Sequence, residues 1–213
     1  MKFIDLSHPI TEAMPVYPGT QPPVIAPCCS HETEGFMEHK LSMFTHTGTH
    51  IDAPLHLFKD GRSLDQFSIN HFIGPAIKFQ LLPNCSADDQ MALFNTRSSE
   101  LAEADFILIQ TNWSDYWGKA RYYADFPVLC HEVMSLLIAQ APKGVGLDAI
   151  SADPVDTTRF ENHRRLLEND ILIIENLTNL SLLPNSGFSF SCIPLKINNS
   201  DGAPVRAVAS IET

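Results

Sequence analysis

The sequence predicts an α/β protein, a single layered domain built on one mixed sheet with flanking helices. Three observations carry that expectation. Two unbroken apolar runs, Phe106-Ile107-Leu108-Ile109 and Ile171-Leu172-Ile173-Ile174, have the character of strands buried on both faces. Segments with helical spacing alternate with strand-like ones in the second half of the chain. A length of 213 residues, 44% hydrophobic and 18% charged, suits one globular core rather than a disordered chain.

The elements follow in order. Phe3–Leu6 reads as a first strand, and the proline-dense stretch over residues 13–27 reads as extended loop. Glu38–Thr45, Ala76–Leu82 and Phe106–Thr111 are the next candidate strands. Asn112-Trp113-Ser114 marks the end of the last of these, and ligands of α/β proteins gather at such strand ends. Trp113, Tyr116 and Trp117 cluster there, as the wall of a pocket or as the cover of a core edge. Cys130–Gln140 places Val133, Leu136, Leu137 and Gln140 at helical spacing, and Glu161–Leu167 is a second helix. Strands Gly144–Leu147 and Ile171–Ile174 alternate with these helices, and Ala203–Ile211 closes the chain. No linker, internal repeat or low-complexity tract divides residues 1–213, so the whole chain is expected to be one domain.

A net charge of −11 argues against a nucleic-acid partner, since no basic stripe exists to neutralise phosphates. No run approaches the roughly 18 apolar residues that span a membrane, so no membrane partner is expected. The opening Met1–Pro9 is interrupted at Asp5 and His8 and does not read as a signal peptide. Five cysteines, odd in number and scattered, fit a reducing cytoplasm, and the adjacent Cys28 and Cys29 read as chance neighbours.

The sharpest signal is the run His46-Thr47-Gly48-Thr49-His50-Ile51-Asp52-Ala53-Pro54-Leu55-His56. Imidazole and carboxylate together suit divalent ions such as Zn or Mn. In a straight strand His50 and Asp52 point the same way about 6–7 Å apart, but His46 and His50 would be roughly 13 Å apart. In a helix the two histidines share a face and Asp52 points away. Only an irregular segment aims all of them together, and Gly48 and Pro54 supply the bends. No cysteine lies in the run, as a purely structural zinc site would usually have. A second, weaker cluster is His163 with Glu175. The turn at Asn169-Asp170 lets a helix and a strand return both to one sheet edge, and a Glu ending a buried apolar strand is costly unless paired or bound to a cation.

With these residues in view, the chain resembles the cyclase family of metal-dependent hydrolases, and within it the kynurenine formamidase branch. The resemblance rests on the His46–His56 run and on Ile4-Asp5-Leu6-Ser7, Met14–Gly19, Gln110–Trp113, Gly146–Pro154, His163 with Leu166-Leu167, Ile174–Leu177, Pro194–Lys196 and Pro204–Ala207. It implies the swivelling β/β/α fold. It also implies one or two divalent ions per chain, Zn first and Mn next. His46, His50 and Asp52 would hold one ion, and His163, Glu175 and Asp52 the second, with Glu175 reaching both. His56 is implied as the general acid/base and a homodimer or homotetramer as the assembly. Tyr17 stands where that branch tends to carry a substrate-stacking Trp, and Thr20 where Asp often follows Pro-Gly, so the substrate is the least constrained part.

Chemically, ions held by Asp52 and Glu175 can lower the pKa of a water and polarise a carbonyl. A histidine near pKa 6.5 can protonate a departing amine. The expected activity is therefore a metal-dependent amidohydrolase that cleaves a small N-formyl aryl amide to formate and an aryl amine. The rivals are a hydrolase opening a cyclic amide, imide or lactone, and a metal-binding protein without turnover.

Overall fold

The computed structural model describes residues 1–212. In chain order the strands and helices are β1 (Lys2–Asp5), β2 (Val24–Cys29), β3 (Glu38–Ser42), β4 (His50–Asp52), β5 (Ile73–Gln80), α1 (Ala87–Asn95), α2 (Ser98–Glu103), β6 (Phe106–Gln110), α3 (His131–Gln140), β7 (Gly144–Leu147), α4 (Glu161–Leu167), β8 (Leu172–Glu175), β9 (Phe188–Ser191), β10 (Gly202–Pro204) and β11 (Val208–Ile211). A nine-stranded sheet runs in the order β1-β11-β9-β5-β6-β7-β8-β4-β10, and β2 and β3 form a separate two-stranded ribbon. The middle, β5-β6-β7-β8, is parallel, and both flanks are antiparallel. This is the mixed α/β architecture expected from the sequence.

The two apolar runs behave as their composition requires. Phe106 and Leu108 turn to one core while Ile107 and Ile109 turn to the other, and Leu172 and Ile174 oppose Ile171 and Ile173 in the same way. One face of the sheet is covered by the helices, through residues such as Phe94, Leu101, Val133, Leu137 and Leu166. The other is closed by the antiparallel flanks, with Ile4, Phe188, Phe190 and Ala209, and by loop residues such as Phe67, Phe72, Leu177 and Leu183.

Several boundaries differ from the sequence reading, each for a local reason. The candidate strand 203–211 is two strands, and Arg206 between them forms an ion pair with Asp5 at 2.7 Å. The proline-dense stretch ends in strand β2, where Pro27 is tolerated because the ribbon is open at its edge. Strand β9 alternates buried Phe188 and Phe190 with serines, a short period-two signal between turns. Helix α1 opens on a capping box, in which Ser86 and Asp89 bond each other's backbone N–H, a start signal that was present in the sequence. No helix among the described residues is long and apolar enough to cross a membrane, and all five cysteines are free.

Candidate metal centre and its pocket

The His46–His56 run resolves into loop, strand and turn. Gly48 takes φ +70°, in the left-handed region that favours glycine. The chain then enters β4 with His50 and Asp52 on one face, and Pro54 opens a single 3-10 turn that ends on His56. The loop folds His46 back so that its ring lies 5.4 Å from that of His50 and 3.9 Å from that of His56. Helix and sheet supply the other two residues. β8 pairs antiparallel with β4, which sets Glu175 directly opposite His50, and α4 carries His163 in from above. The structure thus gathers all six residues that the sequence singled out for metal and acid–base chemistry.

At the centre are two buried carboxylates, Asp52 at 1% exposure and Glu175 at 4%. Asp52 Oδ1 lies 2.7 Å from His46 Nδ1 and 3.2 Å from His50 Nε2, while its Oδ2 lies 3.8 Å from His163 Nε2. Glu175 Oε2 lies 3.6 Å from His50 Nε2, and Oε1 lies 3.1 Å from His163 Nε2 and accepts the Ala152 N–H at 2.9 Å. Asp52 therefore spans three imidazoles and Glu175 two, as bridging ligands would.

The outer partners fix the rings. His50 Nδ1–H donates to the Gly48 carbonyl at 2.8 Å, and His163 Nδ1–H donates to Asp153 at 2.7 Å, so both Nε2 atoms face the carboxylates. Asp153 also accepts the backbone N–H groups of Asn162 and His163, tying the first turn of α4 to the same carboxylate. His46 is held from the opposite side: its Nε2 faces Asp201 at 2.9 Å, and Asp201 accepts the Thr45 hydroxyl at 3.0 Å. That anchoring of one ring nitrogen per histidine is the usual support of metal-binding imidazoles.

Electrostatics points the same way. Burial alone would lower the His46 and His163 imidazoles, but the carboxylates around them hold both up at about 10. Burial would raise Asp52, yet His46 and His50 keep it well below the usual carboxylate range. The cluster demands positive charge between its nitrogens and oxygens, and a divalent ion meets that demand with a thiol-free N and O donor set. Ligand atoms of His50, Asp52 and Glu175 lie within 4.8 Å of one another, as do those of His46, Asp52 and His56. The residues fit a divalent metal ion.

His56 differs from the others. Its Nδ1 is 3.7 Å from Asp201, and burial pushes its imidazole below the ordinary histidine range, with Asp52 opposing in part. It lies on the wall of a cavity of about 340 Å³ that opens over the cluster and is also lined by Tyr17, Phe44, Ile150 and Phe160. Tyr17 donates its hydroxyl to the Val155 carbonyl at 3.1 Å, which presents the ring to the cavity. The aromatic group after Thr111 does not reach it. Trp113 is buried in the core, and Trp117 stacks on His8 with ring centroids 3.8 Å apart. The second aromatic wall is instead Phe44 and Phe160.

Asp153 and Asp201 were not assigned from sequence. Asp153 lies within the Gly146–Pro154 stretch without a role of its own, and Asp201 lies outside every motif read from the sequence. Nothing local marked either, because both act across the fold.

The family model described as "Putative cyclase" matches residues 4–154. A Bacillus cytotoxicus protein named kynurenine formamidase is 30% identical over 209 residues, spanning 97% of this chain and 96% of its own. A solved structure titled as a predicted metal-dependent hydrolase from Bacillus stearothermophilus is 28% identical, with a TM-score of 0.76 over 98% of this chain and 97% of that one. Isatin hydrolase A from Ralstonia solanacearum shares the fold at 24% identity, with a TM-score of 0.85 over 99% of this chain and 92% of that one. Motif, fold and full-length similarity agree, and the chain belongs to the cyclase family of metal-dependent hydrolases.

Proposed function

We propose that this hydrolase cleaves the C–N bond of a small N-formyl aryl amide, releasing formate and an aryl amine. The observation that carries the reading is the position of His56. It borders the cavity beside the paired carboxylates, 3.7 Å from Asp201, while the other five side chains pack directly on one another through Asp52 and Glu175. His46, His50 and Asp52 would hold one ion and His163, Glu175 and Asp52 a second, with Zn the first expectation and Mn the next. A divalent ion held there lowers the pKa of a water and polarises the scissile carbonyl.

The chain's own residues do the rest. His56 takes a proton from the attacking water and returns it to the departing nitrogen, so that hydroxide adds to the formyl carbon as the C–N bond breaks. Asp201, 3.7 Å from His56 Nδ1, sets a negative charge beside that ring while it carries the proton. Tyr17 and Phe160 offer apolar faces to a planar aryl group, and the cavity volume of about 340 Å³ suits a compact substrate. The Bacillus relative named kynurenine formamidase supports an amide of this type.

The test is a turnover panel of N-formyl aryl amines beside cyclic imides and lactones, with Zn and Mn each restored after chelation. Turnover of formyl arylamines supports the reading. Turnover of the cyclic substrates alone would replace it with ring opening at the same centre, and none on any substrate would favour a metal-binding protein without catalysis.

A further inference from the structure

Asn176 directly follows Glu175 and is buried, with φ at +56°, a left-handed conformation that asparagine tolerates better than most residues. Its side chain takes over where the sheet stops. His50 and Glu175 form the last pair of the β4–β8 ladder, and beyond them the chain turns away at Gly48. There the Asn176 Nδ2–H donates to the Gly48 carbonyl at 2.9 Å, and the Thr49 hydroxyl donates to the Asn176 carbonyl at 2.6 Å. The Gly48 carbonyl also accepts His50 Nδ1–H, at 2.8 Å. A carbonyl oxygen has two lone pairs, and here Asn176 and His50 share them.

The Asn176 amide is itself held from behind. The Tyr122 hydroxyl donates to Asn176 Oδ1 at 2.6 Å. Tyr122 is fully buried, and burial raises its phenol well above the ordinary range, so the hydroxyl keeps the proton that it donates. An amide turned over would set Oδ1 against the Gly48 oxygen, two acceptors with no proton between them. Tyr122 packs edge-on against Trp117, with ring centroids 5.2 Å apart. The aromatic group after Thr111, although outside the cavity, thus reaches the centre through this one hydroxyl.

From these contacts we infer that Asn176, oriented by Tyr122, is a positioning residue for His50. It fixes the Gly48 carbonyl, and that carbonyl holds the imidazole with Nε2 toward Asp52 and Glu175. The same side chain couples two ligand-bearing segments, because Asn176 is bonded to Glu175 in the chain and Gly48 stands between His46 and His50. The inference rests on the metal centre described above.

The experiment measures Co(II) affinity by chelator competition and the visible spectrum of the cobalt-loaded protein, with urea unfolding as the fold control. The variants are Asn176→Asp, Asn176→Gly, Tyr122→Phe and the last two combined. Asn176→Asp keeps the acceptor for Tyr122 and loses the donor to Gly48, whereas Asn176→Gly keeps the left-handed backbone without a side chain. Tyr122→Phe keeps the ring and removes only the hydroxyl. Both Asn176 variants should lower the affinity of the folded protein about 10–100-fold and shift the cobalt bands. Tyr122→Phe should lower it several-fold, and it carries the test where an Asn176 variant fails to fold. Because Tyr122 acts through Asn176, Tyr122→Phe should cost no further affinity in the Asn176→Gly background. A wild type that takes up no cobalt would bring down the metal centre itself. A wild type that binds it, beside folded variants equally tight and spectrally unchanged, would overturn this inference alone. So would a Tyr122→Phe effect as large in the Asn176→Gly background as on its own.

Discussion

His50 and Glu175 face each other across the β4–β8 pairing, and the distance between them, 3.6 Å from Nε2 to Oε2, is set by sheet register rather than by a loop. Asp52 lies two residues along the same strand and on the same face. Three of the five proposed metal ligands are therefore fixed by backbone hydrogen bonds, and a site built on strands holds its geometry better than one built on loops. The remaining two, His46 and His163, depend on Asp201 and Asp153 for their orientation.

Asp153→Asn should test that dependence. The asparagine can accept only part of what Asp153 accepts from His163 and Asn162, so the imidazole loses its fixed orientation. Metal affinity should fall about 10–100-fold, as for other outer partners of metal-binding histidines. Chelator competition measures it, and an unchanged affinity would mean that helix α4 alone orients His163.

Gly202 is opposite Asp52 in the β10–β4 pairing, and a Cβ built there would lie 2.5 Å from His46 Cε1. Gly202→Ala should push the His46 ring aside and lower metal content while the sheet persists. Elemental analysis alongside circular dichroism reads both, and full metal content in a folded variant would show that His46 is not required to hold the ion.

The sequence displayed the centre more fully than it displayed the fold's margins. His46, His50, Asp52 and His56 are close in the chain, and Gly48 and Pro54 announce the bends that bring them together. His163 and Glu175 could be joined to them only through a helix, a turn and a strand read in succession. Asp153 and Asp201 were hidden because their partners, at positions 162–163 and 45–46, are brought near by the fold alone. Of the two readings of the aromatic group after Thr111, the fold makes it the cover of a core edge. Trp113 follows a strand end, as a pocket residue would, yet its ring packs inward on the helical face, and Phe44 and Phe160 reach the cavity from segments with no aromatic pattern.

Tyr17→Ala should raise KM for aryl substrates several-fold and change small aliphatic amides little, since an aromatic contact adds about 0.5–1.5 kcal/mol beyond the area it buries. Steady-state kinetics on paired aryl and aliphatic formamides decides the matter. Equal losses on both would make Tyr17 a support for the 151–157 loop, through its bond to Val155, rather than a substrate contact.

Asp148 gives stability a pH signature separate from the metal. Burial pushes its carboxyl up to about 6 from an ordinary 3.8, although hydrogen bonds from Thr111 and Asn112 pull the other way. A group raised on folding contributes stability that is complete below its unfolded value and lost as pH rises through its folded value. The stability of wild type relative to Asp148→Asn should therefore fall between about pH 4 and pH 7. Urea unfolding of both chains across that range measures the difference, and the metal cluster, common to both, cancels. A difference that stays flat or rises would show that Asp148 is ionised in the folded chain throughout.

The proposed division of labour between His56 and the five proposed ligands is tested most directly by measuring metal content and turnover of a formylated arylamine together in wild type and His56→Ala. Elemental analysis should find one to two divalent ions per chain in both proteins. Turnover should fall about 10²–10⁴-fold in the variant, the usual worth of a general acid/base. Loss of metal from His56→Ala would make His56 a ligand, and an undiminished rate with metal in place would remove it from the reaction; either result would contradict the account.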